Sequence, residues 1–358
     1  MSLTRKNMSL NTKEEKNNSF LNDRKPFLLK PAGKDYLWGG SRLNDDFSKG
    51  IDMTPLAETW ECSTHEDGPS VVASGEYKGM LLKDVLKENP QFLGFHPFGG
   101  VYDEKRGQGS GELPILIKLI DAQKDLSVQV HPDDAYAMEH ENGSWGKSEM
   151  WYVLDATKDA HLVYGLKNKI SRKRFQKSIE DGTLEKYLQK VPVHQNDVFF
   201  VEAGTIHALG AGSLVAEIQE NSNLTYRIYD YDRVDKNGKK RELHIDKAMD
   251  VVNLKAATEP KQPMHVLRYQ KGKAMEFLCR CKYFQVERMM INTERCREMA
   301  DFQTDSNSFH VLLCTTGCGA ILFGNEEINF FKGDCIFVPA ESVPIKIHGK
   351  AQFLDVTC

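Results

Sequence analysis

Leu126-Ser127-Val128-Gln129-Val130-His131 decides how this chain is read. Apolar and polar residues alternate with period two, which is the pattern of a strand. Leu126, Val128 and Val130 are expected on one face, and Ser127, Gln129 and His131 on the other. Outward from this stretch lie further short strand-like runs, at residues 114–120, 150–154, 161–165, 197–201 and 214–219. Helical spacing is found over 133–141 and over 171–188, where Phe175, Ile179 and Leu184 fall near one face and Gly182 interrupts them. Many short strands, Gly-rich turns and few helices predict a mainly β protein, a barrel or sandwich with helical decoration.

The pattern resumes after Thr258-Glu259-Pro260-Lys261-Gln262-Pro263, which predicts a linker, in a second strand-rich region over 265–358. Residues 196–207 align without gaps onto 333–344, each reading as a turn, an apolar strand and a bend at small residues. A true repeat makes two related β-barrels. The alignment ends with His207 in one copy and Pro344 in the other, so the second copy lacks whatever His207 does.

Composition bounds the rest. With 358 residues, 40% hydrophobic and 27% charged, the chain is expected to fold as about two domains rather than to stay disordered. A net charge of −4 gives no global attraction to nucleic acid or to an anionic membrane. Residues 1–25 are polar and lack the apolar core of an export signal, so they read as a solvated tail or a cloning remnant. A cytoplasmic location and eight free thiols follow as expectations.

The polar face of 126–131 points to chemistry. An interior polar stripe costs several kcal/mol unless it finds partners, and a metal ion is one such partner. Glu149 leads into the later strand at 150–154, and His207 follows the Gly204 bend. Two His, one Glu and Gln129 make a donor set for zinc or a similar divalent ion, with room left for water or substrate. The spacings, 18 residues from 131 to 149 and 58 from 149 to 207, match no compact zinc signature. Hydrogen-bonded structural side chains are therefore the competing reading at this level. Cys279-Arg280-Cys281 with Cys314 and Cys318 fits no zinc ribbon, Gly107 to Gly111 precedes no helix, and 236–241 reads as a solvated basic turn.

Gln129-Val130-His131-Pro132-Asp133-Asp134-Ala135-Tyr136-Ala137 closely resembles the metal segment of type I mannose-6-phosphate isomerases, especially the short bacterial form. Trp38-Gly39-Gly40, Glu58-Thr59-Trp60-Glu61, Gly146-Lys147-Ser148-Glu149-Met150-Trp151-Tyr152, Ala203-Gly204-Thr205-Ile206-His207-Ala208 and Glu217-Ile218-Gln219 through Thr225-Tyr226-Arg227-Ile228-Tyr229-Asp230 complete the likeness in order. The resemblance implies two cupin-type, jelly-roll β-barrels. Residues 26–258 would form the catalytic domain with a helical insertion at 168–190, and 264–358 a metal-free cupin-like domain. It implies one Zn2+ per chain on Gln129, His131, Glu149 and His207, an active-site Arg227, and pocket-lining Ser127 and Lys147. Two positions depart from the family pattern. Glu202 replaces a proline before the Ala-Gly bend, and Asn223 replaces an Asp four residues before the Arg.

An aldose–ketose isomerase moves a proton between C1 and C2 through an enediol, which needs a base and stabilisation of charge on oxygen. Arg227 suits an enediolate oxygen or a phosphate, and Lys147 can serve either as a compact charge. Glu217 and His65 are the candidate bases, with His65 also a candidate for substrate contact. The expected partner is a phosphorylated sugar, with no nucleic acid and no membrane, on a monomer or weak homodimer. A different metal cupin enzyme, such as an iron dioxygenase, and a non-catalytic sugar-binding cupin are the rival readings.

Overall fold

At its centre the alternating stretch is a strand, Val128–Val130, in a computed structural model that describes residues 24–96, 110–234, 238–258, 266–296 and 298–358. Val128 and Val130 pack with Phe175 and Ile179 of helix Arg172–Glu180 and with Ala248 and Met249 of helix Ile245–Val251. Leu126 departs from the expectation. It precedes the strand and joins a different core, with Trp38, Trp151 and Leu209. The pleat begins only at residue 128, so period two does not govern the direction of the side chain at 126.

Those two cores build one compact unit, Pro31–Ser70 with Leu113–Met264. Its six-stranded sheet runs in the order Val198–Val201, Glu149–Ala156, Ser213–Glu220, Ile115–Ala122, Glu58–Cys62, Ala32–Lys34. Its five-stranded sheet runs Tyr226–Tyr229, Val128–Val130, His207–Leu209, His161–Leu166, Leu188–Pro192. One core fills the space between the sheets, and the other lies between the five-stranded sheet and the helices. Full burial of each large apolar side chain contributes about 1.5–3 kcal/mol.

The expected helix over 133–141 is Asp134–His140, capped by the Asp133 side chain on the Tyr136 N–H. The expected helix over 171–188 is shorter. Ser171 caps its start, and Gly182, at φ +64°, ends it. Gly182 N–H bonds to the Ile179 carbonyl and Thr183 N–H to that of Ser178, the paired bonds of a Schellman stop. The chain is thereby free to re-enter the sheet at Leu188.

The second unit comprises the described residues of 1–30, 71–112 and 265–358. The units thus interleave along the chain, where the linker signal predicts consecutive segments. Strand Phe27–Lys30 is the reason, because it pairs with Cys335–Val338 on one side and with Val71–Val72 on the other, and not with the strands that follow it directly in sequence. The linker at 258–263, the Gly-rich turn at 107–111 and the basic turn at 236–241 fall partly outside the described residues, as does nearly all of the 1–25 tail.

Within its ten-stranded sheet, the second unit repeats the first. Cys335–Val338, His310–Phe323, Ile345–Thr357, Gln285–Asn292, Lys273–Arg280 and Leu267–Gln270 lie side by side. Numbered along the chain within each set, both orders read 5-4-6-3-2-1. The gap-free alignment also holds at the backbone. Asn196 and Gly333 both take positive φ (74° and 98°), as do Gly204 and Glu341 (85° and 51°). Asp197 accepts from the His194 N–H, and Asp334 from the Phe331 N–H, each at 2.8 Å. Register then places His310 where the first unit has Glu149, since each lies opposite the last residue of the repeated strand (Val338 and Val201). Asp355 likewise stands in the place of Glu217. The fold is mainly β with few helices, as expected, although among the described residues no sheet closes on itself by hydrogen bonding. The first unit joins its two sheets through buried side chains rather than through a continuous ring of hydrogen bonds.

Candidate metal centre

Sheet register brings the polar face together. Gln129 lies directly opposite His207 on one side and Arg227 on the other. Glu149 heads its strand in the facing sheet, between Val201 and Gln219. His131, Glu149 and His207 are all buried, and one ligand atom from each lies within 4.8 Å of the others. His207 Nε2 is 3.2 Å from Glu149 Oε1, and His131 Nε2 is 3.6 Å from Glu149 Oε2. Gln129 Nε2 is 3.3 Å from His207 Nε2. Among the described residues, no other group of His, Cys, Asp and Glu converges in this way.

The bend before His207 is firm despite Glu202. Thr205 N–H bonds to the Glu202 carbonyl and Gly204 N–H to that of His131, which ties two of the converging segments together. Asn253 N–H closes onto the Gly204 carbonyl. Three backbone bonds do here what a proline's fixed φ does elsewhere.

Protonation states suit a cation. His207 Nδ1 faces the Thr205 carbonyl at 2.9 Å, so that nitrogen carries the proton and Nε2 keeps its lone pair. Burial pushes the His207 pKa down to about 4. Burial, then the Lys147 ammonium, pushes His131 well below the usual histidine range. Both rings are therefore neutral at pH 7, the form that ligates. Neither Glu149 oxygen receives a hydrogen bond of good geometry, although Lys147 Nζ stands 2.7 Å from Oε2. Burial, then the Glu217 charge, holds the Glu149 carboxyl above the ordinary range. Lys147 compensates one oxygen only, and a divalent ion between the carboxylate and the two imidazoles would relieve the remaining desolvation cost, so the residues fit a metal.

Gln129 and Lys147, which contact the cluster, also line a cavity of about 280 Å3 together with Tyr36, Trp38, Glu58, Lys118, Ser127, Glu217, Asn223, Thr225, Arg227 and Arg241, among others. Glu217 Oε1 lies 3.4 Å from Lys118 and 3.7 Å from Lys147, while Oε2 accepts from the Trp151 indole N–H at 2.9 Å. Burial raises this carboxyl, but Lys147 and Lys118 outweigh it and hold Glu217 low and ionised. Burial opposes the Lys147 charge, and Glu149 with Glu217 outweighs that in turn and raises its pKa. Arg227 donates from Nε to Ser127 Oγ at 3.3 Å and from Nη1 to the Glu242 carbonyl at 2.9 Å.

The structure gathers Gln129, His131, Glu149, His207, Lys147, Glu217, Ser127 and Arg227 at one site. His65 is placed apart from it. Its ring stands edge-on to Trp60, centroids 5.6 Å apart, and its Nδ1 takes the Asp67 N–H. Sequence reasoning missed Lys118 and Glu58. Lys118 interrupts the apolar run Ile115-Leu116-Ile117 and Leu119-Ile120, and a buried lysine there needs a carboxylate across the sheet. Register supplies Glu217 directly opposite.

The description "Phosphomannose isomerase type I, catalytic domain" matches residues 27–161, and "Mannose-6-phosphate isomerase, cupin domain" matches 273–358. The chain is 36% identical to the probable mannose-6-phosphate isomerase GmuF of Bacillus subtilis, over 92% of this chain and 98% of that protein. It is 35% identical to mannose-6-phosphate isomerase ManA of the same organism, over 91% and 97%. The crystal structure of the mannose 6-phosphate isomerase from Bacillus subtilis superposes with a TM-score of 0.81 at 34% identity, covering 93% of this chain and 99% of that one.

Proposed function

The chain belongs to the type I phosphomannose isomerase family and is an isomerase of that class, and from this premise we propose that it interconverts mannose 6-phosphate and fructose 6-phosphate through an enediol, using a zinc ion held by His131, Glu149, His207 and Gln129. The observation that carries the reading is the convergence of two neutral imidazoles and a fully buried carboxylate beside a cavity lined by cations. Bound there, zinc supplies Lewis acidity toward the substrate's carbonyl and hydroxyl oxygens.

The remaining steps fall to side chains. Lys147 and Lys118 are fixed cations at the inner wall, placed to stabilise negative charge developing on the enediolate oxygens. Glu217 lines the cavity beside them and is ionised, the protonation state a base requires. The lysines that keep it ionised also weaken it as a base, so proton capture relies on the acidity of a carbon next to a polarised carbonyl. Arg227 takes the phosphate. The other cavity cations are each matched to carboxylates: Lys118 to Glu58 and Glu217, Lys147 to Glu149 and Glu217, and Arg241 to Asp230. Among the described residues Arg227 has no such ion pair, so its fork is the cation left over for an anion.

The test is a coupled assay for fructose 6-phosphate formed from mannose 6-phosphate, with metal content measured on the same preparation. Turnover that disappears on chelation and returns with zinc supports the reading. Full turnover by metal-free protein, or by His131→Ala, rules it out.

A further inference from the structure

Asn223 and Thr225, on the stretch that leads into strand Tyr226–Tyr229, and Arg227 within that strand all line the cavity. An amide, a hydroxyl and a guanidinium from one short stretch are thereby offered to whatever occupies the cavity. The amide is already engaged at one end. Asn223 Nδ2 donates to Asp67 Oδ2 at 2.9 Å.

Asp67 belongs to a turn that is itself anchored. Gly68 N–H bonds to the His65 carbonyl at 3.1 Å, and Asp67 N–H to His65 Nδ1 at the same distance. A Cβ on Gly68 would come within 2.7 Å of the buried Trp60 ring, so the turn sits directly on that indole. Lys34 lies over the same ring, 4.6 Å from its centroid, and its ammonium donates to the Asp67 carbonyl. The carboxylate is thus delivered to Asn223 from a fixed direction.

An asparagine amide has an NH2 with two donor hydrogens and one acceptor oxygen. With one N–H held by a carboxylate the amide cannot turn over without setting oxygen against oxygen, so its NH2 end is fixed toward Asp67 and its oxygen is held on the other side, open to a ligand. We propose that Asp67 is a positioning residue that locks Asn223 as a hydrogen-bond acceptor for a sugar hydroxyl. The ligand class is a polyol phosphate whose hydroxyl meets Asn223 while its phosphate meets Arg227. This rests on the isomerase reading above and adds the residue pair that selects among phosphorylated sugars. It also gives His65 a task, the support of Asp67.

Steady-state kinetics on the zinc-loaded enzyme test it. Asp67→Ala frees the amide, and KM for mannose 6-phosphate is expected to rise about five- to tenfold, the loss of one hydrogen bond, with kcat within about twofold. Asp67→Asn keeps an acceptor for the Asn223 donor and is expected to recover most of that loss. Asn223→Asp sets two carboxylates against each other, and the exchange pair D67N/N223D restores a donor–acceptor bond and should recover KM. An unchanged KM in Asp67→Ala, or an exchange pair no better than Asn223→Asp alone, overturns the inference while leaving the isomerase intact. A wild-type enzyme that neither binds nor converts the sugar phosphate overturns the underlying reading instead.

Discussion

Replacing Lys147 by methionine isolates the electrostatics of the centre, because the chain length is kept and only the charge goes. Lys147 Nζ lies 2.7 Å from Glu149, 3.4 Å from His131 Nε2 and 3.7 Å from Glu217, with the whole side chain out of solvent. Removing one partner of a buried ion pair costs about 3–5 kcal/mol, since the remaining charge is left without compensation. Two carboxylates are affected here, but Lys118 still neutralises Glu217 at 3.4 Å, so the single-pair figure applies. For a unit of this size, about 3–5 kcal/mol corresponds to a fall in Tm of roughly 6–20 °C. Scanning calorimetry of chelator-treated protein at pH 7 reads it. K147M/E149Q removes both charges and should regain most of the loss, and zinc added to the single variant should also narrow the gap. A metal-free Lys147→Met protein melting within 2 °C of wild type, at the scale of about 1 kcal/mol, refutes the assignment of Lys147 as the counter-ion of Glu149.

Arg227→Lys keeps the charge but loses the fork, and kcat/KM for the sugar phosphate should drop about tenfold or more with metal content unchanged, as metal analysis beside the kinetics will show. Phe175→Ala hollows the core beneath the five-stranded sheet and should cost about 3–5 kcal/mol in urea unfolding. His310 gives a pH signature. Burial disfavours its charged form, but Asp355, 2.7 Å from Nδ1, outweighs this and raises its pKa, with Asp305 and Glu287 adding to the effect. Its contribution to stability is therefore complete below the unfolded histidine pKa of about 6.5 and is lost as pH rises through the folded value. Denaturant titrations from pH 5.5 to pH 9, chosen about that pKa, should show a shallower decline in His310→Asn than in wild type, and identical slopes would exclude the coupling.

The strands around 128, 150, 163, 199 and 216 were legible because each carries its own period and its own turn signals. The helix after Ser171 was over-extended because Leu184 kept the spacing while Gly182 ended the hydrogen bonding, a decision made by one backbone angle. The placement of Phe27–Lys30 beside Cys335–Val338 had no local signal at all, because pairing at that separation is written only in the tertiary contacts. At the site, Gln129 and His131 stand out as polar residues opposite a buried face, whereas Glu149 and His207 could be added only as a plausible set whose spacing matches no compact signature, because what joins them is the sheet register. Lys118 was visible as a charge inside an apolar strand, but its meaning depended on Glu217, which sits across the sheet and far along the chain.

The matching strand order of the two units gives this polypeptide an internal reference. Where one scaffold gathers imidazole and carboxylate, its twin places the plain His310–Asp355 pair and a proline. Spectroscopic labels on histidine would therefore follow, in a single sample, the first unit through His131 and His207 and its twin through His310, which holds the place of Glu149. A shift on adding zinc that is seen at His207 and absent at His310 is then local to the first unit.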